Sequence, residues 1–253
     1  MYEGRPFVAH GVAKTSTSKV YNTRKGTKYS ASWKMGPQPS VPASNPHNEE
    51  IGREWLKIAE GEHASIASFA RFTLQLMSLG SPSELLVSSQ KAKIDEINHA
   101  KFAYTFASAF LGSDYGPGPL DVKGALDDVS SFPRSIVSSL IKEGCIEETV
   151  SAIEAHIAAY YAQDLSIKAP RIQIALDETR HAQLAWDALH WIIHRYPEIL
   201  TFVQDTFQAE FKQEFKMINN DVALESNATC EIANCESEKD SLFQNIHCPQ
   251  GLL

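Results

Sequence analysis

No run of apolar residues in this 253-residue chain approaches the ~20 needed to cross a bilayer as a helix, so no transmembrane helix is expected. Cysteine is scarce, and the four present, Cys145, Cys230, Cys235 and Cys248, form no Cys-x-x-Cys pair. That absence excludes a built-in rubredoxin-like or zinc-ribbon site, which needs close cysteine pairs. Cys145 falls in a helix-forming stretch and reads as a small buried residue, while the other three lie in a polar tail. Residues 1–8 lack the apolar core of a secretory leader, so the expectation is a cytoplasmic protein with reduced thiols. The glycosylation sequon at Asn227-Ala228-Thr229 is then accidental. Positive charge is short everywhere beyond residue 47. The first 47 residues hold seven Lys/Arg against the single acid Glu3, yet the whole chain has a net charge of −8. An acidic body argues against a nucleic-acid partner, whose phosphates require positive potential. The basic arm reads as solvated, with an acidic partner or an organelle-targeting role as alternatives.

What is present is helix. The sequence divides into a basic extended arm over 1–49, a helical body over 50–217 and a polar tail over 218–253. The arm is rich in Ser, Thr, Lys, Gly and Pro and is expected either to drape on the body or to stay partly disordered. A first helix is expected from about Glu50, capped by Asn48 or a neighbour, to Leu79, stopped by Gly80-Ser81-Pro82. Its apolar stripe is Ile58, Ile66, Phe69, Thr73 and Leu76, and Glu62 lies within it. A carboxylate facing a core must be paired, protonated or bound to metal. A second helix runs from Ser81 to Leu111, a third from Pro133 to Gln163, and a fourth from the turn at Asp164 to about Arg195. A fifth covers 197–217 with Phe202, Phe207, Phe211 and Phe215 as anchors. The link between helices two and three is about 20 residues long, enough at ~3.3 Å per residue to recross a bundle ~45 Å long. The fold class is therefore all-α, a four-helix bundle with a long crossover.

The chemistry sits in a repeated hexad, Asp95-Glu96-Ile97-Asn98-His99-Ala100 and Asp177-Glu178-Thr179-Arg180-His181-Ala182. Glu and His three apart share one helix face and can grip one metal ion. With 9 His in the chain, about one Glu in thirty has such a partner by chance, so a single copy would mean little. Here each copy also has an upstream Glu at matched distance, Glu62 lying 34 residues before Glu96 and Glu148 lying 30 before Glu178. Each pair is centred on its own hairpin turn, near residues 79 and 163, so each upstream Glu lies level with its Glu-x-x-His partner. If the crossover sets the two turns at opposite ends, both half-sites meet about 22–26 Å from a turn, in mid-bundle. Four carboxylates and two imidazoles suit two iron ions, with manganese or a mixed pair as alternatives. Asp95 and Asp177 are placed to accept from the outer nitrogen of a ligating histidine, and Arg180 to hold such an aspartate. Ser65 and Ser151 follow the upstream glutamates by three and extend the repeat. Two ambiguities stay open: Glu60 and His63 form a further Glu-x-x-His, and Glu143 and Glu147 compete with Glu148.

Glu62, Asp95-Glu96-x-x-His99, Glu148 and Asp177-Glu178-x-Arg180-His181 resemble the ferritin-like superfamily of non-haem di-iron proteins over Trp55 to about Trp191. The second hexad is similar to the Asp-Glu-x-Arg-His signature of bacterial multicomponent monooxygenases and ribonucleotide reductase small subunits, whereas Asn98 replaces that Arg in the first. The phrases Glu62-His63-Ala64-Ser65-Ile66-Ala67-Ser68-Phe69 and Glu143-Gly144-Cys145-Ile146 resemble a group of uncharacterised ferritin-like domain proteins. A rubrerythrin-type peroxidase would bring a Cys-x-x-Cys site, and a radical-generating subunit would place Tyr where Ala103 stands. The resemblance then implies an O2-dependent oxidase or monooxygenase acting on a small organic substrate, served by a separate electron donor. The alternative is a ferroxidase or iron-handling protein without an organic substrate. A homodimer is the candidate assembly. An apolar pocket beside the metals is expected where Ala152, Ala155 and Ala159 face Phe69, Phe102 and Phe106.

Overall fold

In the computed structural model, which describes residues 6–21, 33–127, 133–210 and 212, the chain is a helical bundle with two small β pairings. The polar tail 218–253, with Cys230, Cys235, Cys248 and the sequon, lies outside the described residues, as do Phe211 and Phe215. The first long helix, α1, spans Asn48–Ser78, and α2 spans Ser83–Leu111. Between them the chain turns at Gly80, whose φ of +70° is the left-handed conformation that glycine enters without a Cβ clash. Gly112 ends α2 in the same way with φ +65°. Helix α1 begins two residues earlier than expected, after His47, with no side-chain cap. Glu49 and Glu50 nevertheless sit in its first turn, where negative charge meets the positive end of the helix dipole.

The third helix departs from the expected single rod. It comprises α3, Pro133–Ser139, then a π-helical stretch, Leu140–Glu147, then α4, Glu148–Tyr161. A π turn widens the backbone and re-aims the side chains that follow, and it recurs at functional sites. Gly144 lies within it, where a Cβ would stand 2.8 Å from the Ala185 Cβ. That glycine lets the wide turn approach α5, Leu165–Arg195. Asp164 caps α5, its Oδ1 accepting from the Ser166 amide at 2.8 Å. A 3₁₀ turn, Pro197–Ile199, leads into a last helix over 200–210. There Ile199, Val203 and Phe207 join the main core, and Phe207 stacks on Trp186 with ring centroids 5.5 Å apart.

The helices pair as two hairpins, α1 with α2 and α4 with α5, joined by α2 against α5. Their turns lie at opposite ends. Leu76, Leu79 and Leu85 around the first turn pack with Ile136 and Val137 of α3 and with Leu189 and Ile192 near the end of α5. Trp55 near the start of α1 packs with Ala103 and Phe106 of α2 and with Ile167 beside the second turn. The crossover therefore traverses the length of the bundle. Along α1 the buried stripe contains Ile58, Glu62, Phe69, Thr73 and Leu76 as expected, whereas Ile66 stands half-buried at its edge.

The arm is docked where it is described. Strands β1, Phe7–Ala9, and β2, Val12–Lys14, form a hairpin across His10 and Gly11, both with positive φ, the pattern of a tight type I′ turn. Phe7 is fully buried, and the Arg71 guanidinium lies over its ring and donates to the Val8 carbonyl. Strand β3, Ser18–Val20, pairs antiparallel with β4, Tyr115–Pro117, in the crossover. Farther along, Gly36 approaches Phe102 so closely that a Cβ would lie 2.8 Å from its ring.

Candidate metal centre

Four helices each send one glutamate into mid-bundle: Glu62 from α1, Glu96 from α2, Glu148 from the start of α4 and Glu178 from α5. All four are at most 2% exposed. His99 and His181 follow Glu96 and Glu178 by one helical turn and are equally buried. These residues form two groups able to hold a metal ion, Glu62 with Glu96, His99 and Glu178, and Glu148 with Glu96, Glu178 and His181. Within each group, one ligand atom per residue lies within 4.8 Å of the others. Glu96 and Glu178 belong to both groups, and Glu62 and Glu148 to one each.

The distances repeat across the pseudo-two-fold. His99 Nδ1 lies 3.2 Å from Glu178, 3.8 Å from Glu62 and 4.0 Å from Glu96. His181 Nδ1 lies 3.2 Å from Glu96, 3.7 Å from Glu178 and 4.0 Å from Glu148. The outer nitrogens are crossed between the hexads. His99 Nε2 meets Asp177 at 3.1 Å, and His181 Nε2 meets Asp95 at 3.4 Å. Each aspartate thus serves the histidine of the other hexad, holding the proton on Nε2 and leaving Nδ1 for a metal. Arg180 hydrogen-bonds Asp177 and reaches Asp95 at 3.4 Å, so one guanidinium braces both aspartates. Asn98, at the equivalent place in the first hexad, is not required to do so.

A bound cation fits the polar atoms left over. Glu62 Oε1 and Oε2, Glu96 Oε2, Glu178 Oε1 and both histidine Nδ1 atoms are buried without a hydrogen-bond partner among the described residues. Leaving such groups unsatisfied in a core is costly, and two divalent ions would meet all of them at once. Without metal, protons take that place. Burial, with the Glu96 charge beside it, pushes the Glu62 carboxyl up to about 8. Burial alone would lower the His99 imidazole, but Asp177, Glu178 and Glu62 around it outweigh burial and raise it well above its usual value. His181 is raised likewise against its burial, by Glu178, Asp95 and Glu96. Glu178 is held well below the carboxylate range despite burial, because His181 and His99 flank it.

These directions set a prediction. At pH 7 the metal-free site carries a proton on Glu62 and on both imidazoles that a metal must displace, so loading should release on the order of three protons per chain. Apparent affinity should rise as pH increases through the neutral range, because the competing protons are then lost. Calorimetric titrations with Fe(II) or Mn(II) under argon, in buffers of different ionisation enthalpy, count the protons. Release of fewer than one would contradict the assignment.

The residues left ambiguous by sequence separate clearly. Glu143 does not enter the cluster; it forms an ion pair with the buried Arg71, Nη2 to Oε2 at 3.0 Å. Glu147 is half-buried and belongs to neither group. Glu60 accepts from the Ser18 amide and hydroxyl at 2.7 and 2.6 Å, and His63 packs edge-on against Trp33.

The expected single apolar pocket is instead two small cavities, one at each half-site. A cavity of about 40 Å3 reaches Glu148 and His181 beside Phe69, Leu140 and Leu184, with Arg71 and Glu143 in its wall. One of about 20 Å3 reaches Glu62 and His99 beside Trp55, Ile58, Ala103, Ala155, Arg171 and Ile174. Of the alanine stripe, Ala155 lines the smaller of these two cavities. Phe106 packs on Trp55 with centroids 4.7 Å apart, and Phe102 is taken up by the arm at Gly36. Each space holds a few water-sized molecules at most. The buried Arg71–Glu143 pair had a partial signal in the sequence, since Glu143 sits among the acids competing for the ligand role. Arg71 itself had none.

Among the described residues no helix is long and apolar enough to cross a membrane. Comparison with protein-family models, with curated proteins and with solved structures returns no match to this chain.

Proposed function

We propose that this chain is a ferritin-like di-metal carboxylate protein that works as an O2-dependent oxidoreductase on a small organic substrate. Two iron ions, or manganese or a mixed pair, would be held by Glu62, Glu96, His99, Glu148, Glu178 and His181. The observation that carries the reading is the pair of mirrored, buried Glu/His groups sharing Glu96 and Glu178. Oxygen and imidazole donors without thiolate suit iron or manganese. Two such ions, when bound, supply the electrons and Lewis acidity with which O2 is reduced.

The chain's own residues make that setting. Four carboxylates balance the four positive charges of two divalent ions, so the loaded centre can be neutral in a medium where net charge is expensive. Asp177 and Asp95 keep protons on the outer nitrogens of His99 and His181, and Arg180 keeps the aspartates in place. Phe69, edge-on to His181 at 5.1 Å, and Trp55, Ile58 and Ile174 on the other side exclude bulk water. Electrons would come from a separate donor.

A second reading has an observation of its own. The larger of the two cavities reaches Glu148 and His181 and sets Ser68, Gln75, Ser139 and Glu143 among its mostly apolar walls, polar groups that a hydrated cation could meet. That favours a ferroxidase or iron-handling role without an organic substrate. Aerobic addition of excess Fe(II) distinguishes the two. The oxidoreductase should take up about two irons per chain and stop, whereas a ferroxidase continues to consume metal and builds a mineral. Mineral growth beyond two irons would overturn the first reading. So would di-ferrous protein that reacts with O2 no faster than free Fe(II).

A further inference from the structure

Seven residues make two helical turns, about 10.5 Å along a helix. Counting that far from the four glutamates, toward the end that carries the second turn, gives Trp55 on α1, Ala103 on α2, Ala155 on α4 and Arg171 on α5. All four line the smaller cavity, so the layer predicted by helical arithmetic is a real layer, one level from Glu62 and His99. Three of its members are buried, and Arg171 alone is half-exposed, which puts it at the mouth. The two alanines opposite the bulky Trp55 leave the space open.

Arg171 is an anomaly there. Its guanidinium lies over the face of Trp55, 5.0 Å from the ring centroid, but makes no ion pair and no hydrogen bond among the described residues. Nε is buried without a partner. Arg71, beside the larger cavity, is by contrast matched by Glu143 and the Val8 carbonyl. A planar guanidinium held against an aromatic face presents donors suited to a carboxylate, which it can bind in bidentate fashion. Leaving that fork unpaired in a partly buried position is unfavourable unless an anion completes it.

We propose that Arg171 is the anion-recognition residue of this cavity, binding the carboxylate of a short-chain organic acid whose apolar end enters between Trp55, Ala103, Ala155 and Ile174 toward Glu62 and His99. As a binding site this stands on Arg171 and the cavity; as the substrate class of the centre it rests on the oxidoreductase reading above. The cavity's small volume selects a short apolar end.

Calorimetric titration of the full chain with butyrate, butyramide and inorganic phosphate tests it. Butyrate should saturate one site per chain, with butyramide and phosphate each at least ~10-fold weaker. Arg171→Gln should lose butyrate binding by a similar factor while Arg171→Lys keeps part of it. Arg171→Gln removes a contact with the Trp55 ring together with a desolvated, unpaired charge, two opposing changes, so the melting temperature should shift little, and helicity measured alongside checks that the variant folds. Butyrate should raise that temperature in the wild type and not in Arg171→Gln. Equal binding of butyramide, equal binding of phosphate, or an Arg171→Gln variant that binds butyrate normally would each overturn the proposal. Repeating the titration in Glu96→Gln separates the two claims: butyrate binding retained there supports the anion site whatever becomes of the metal chemistry. Loss of binding in that variant would overturn the site's independence from the metals.

Discussion

Replacing either Glu96 or Glu178 with glutamine is expected to abolish tight binding at both metal positions, whereas replacing Glu62 or Glu148 should abolish it at one. The reason is shared membership: Glu96 and Glu178 occur in both four-residue groups, and Glu62 and Glu148 in one each. Losing a shared carboxylate would remove a donor from both groups and also a negative charge that two cations would need. Glutamine preserves the side-chain volume, so the core of the bundle should stay packed. In the metal-free protein the change also takes away the carboxylate nearest the Nδ1 of one histidine, Glu96 from His181 at 3.2 Å or Glu178 from His99 at 3.2 Å. Breaking a buried pair from one side costs roughly 3–5 kcal/mol when the remaining charge has nowhere to go. Here the histidine can shed its proton, so the cost should fall below that range, more so at higher pH. Metal content after exhaustive dialysis, with helicity measured alongside, reads the outcome. If Glu96→Gln keeps one ion as tightly as Glu62→Gln does, the two groups do not share Glu96 as a ligand.

The second large effect tests the crossing of the aspartates. Asp177 stands four residues before His181 in sequence but hydrogen-bonds His99, and Asp95 stands four before His99 but faces His181. Asp177→Asn should therefore weaken the position that contains His99 by about 10–100-fold, the usual cost of losing a histidine's outer partner. The position that contains His181 should lose much less, only what Arg180 transmits through Asp95. Measuring Asp177→Asn in a Glu148→Gln background, where the His99 position remains, and in a Glu62→Gln background, where the His181 position remains, separates them. Asp95→Asn should show the reverse preference. An effect confined to the histidine of the same hexad would refute the crossed arrangement. Asp177 is held below the ordinary carboxylate range, with His99, Gln173 and Arg180 outweighing its burial. Its bracing of His99 should accordingly persist to mildly acidic pH.

Much of this was legible in the sequence, for physical reasons. Glycine at 80 and 112 and the aspartate at 164 mark helix ends, because few residues tolerate or cap those backbone conformations. Equal spacing about two turns placed Glu62, Glu96, Glu148 and Glu178 at one level, since antiparallel helices with a short turn have little freedom to slide. What stayed hidden depends on contacts remote in sequence. No periodicity announces the π stretch at Leu140–Glu147, because it is set by the fit of Gly144 against Ala185. The partnership of Asp177 with His99 is invisible along the chain, because it crosses 78 residues. The arm's composition left draping on the body and partial disorder both open, and the buried ring of Phe7, remote in sequence from the helix it packs on, shows that the arm docks there.

The division of the centre between two helical hairpins has a kinetic consequence. Each hairpin joins partners close in sequence, so each can form early, at low loop-closure cost. Neither contains a whole site: Glu62, Glu96 and His99 belong to one, and Glu148, Glu178 and His181 to the other. The contacts that unite them, with the β3–β4 pairing that fastens the arm to the crossover, span far more chain. A metal ion would find its full set of ligands only once the hairpins have docked. It should act chiefly as a latch that slows the parting of the hairpins, and leave the speed at which they find each other almost untouched.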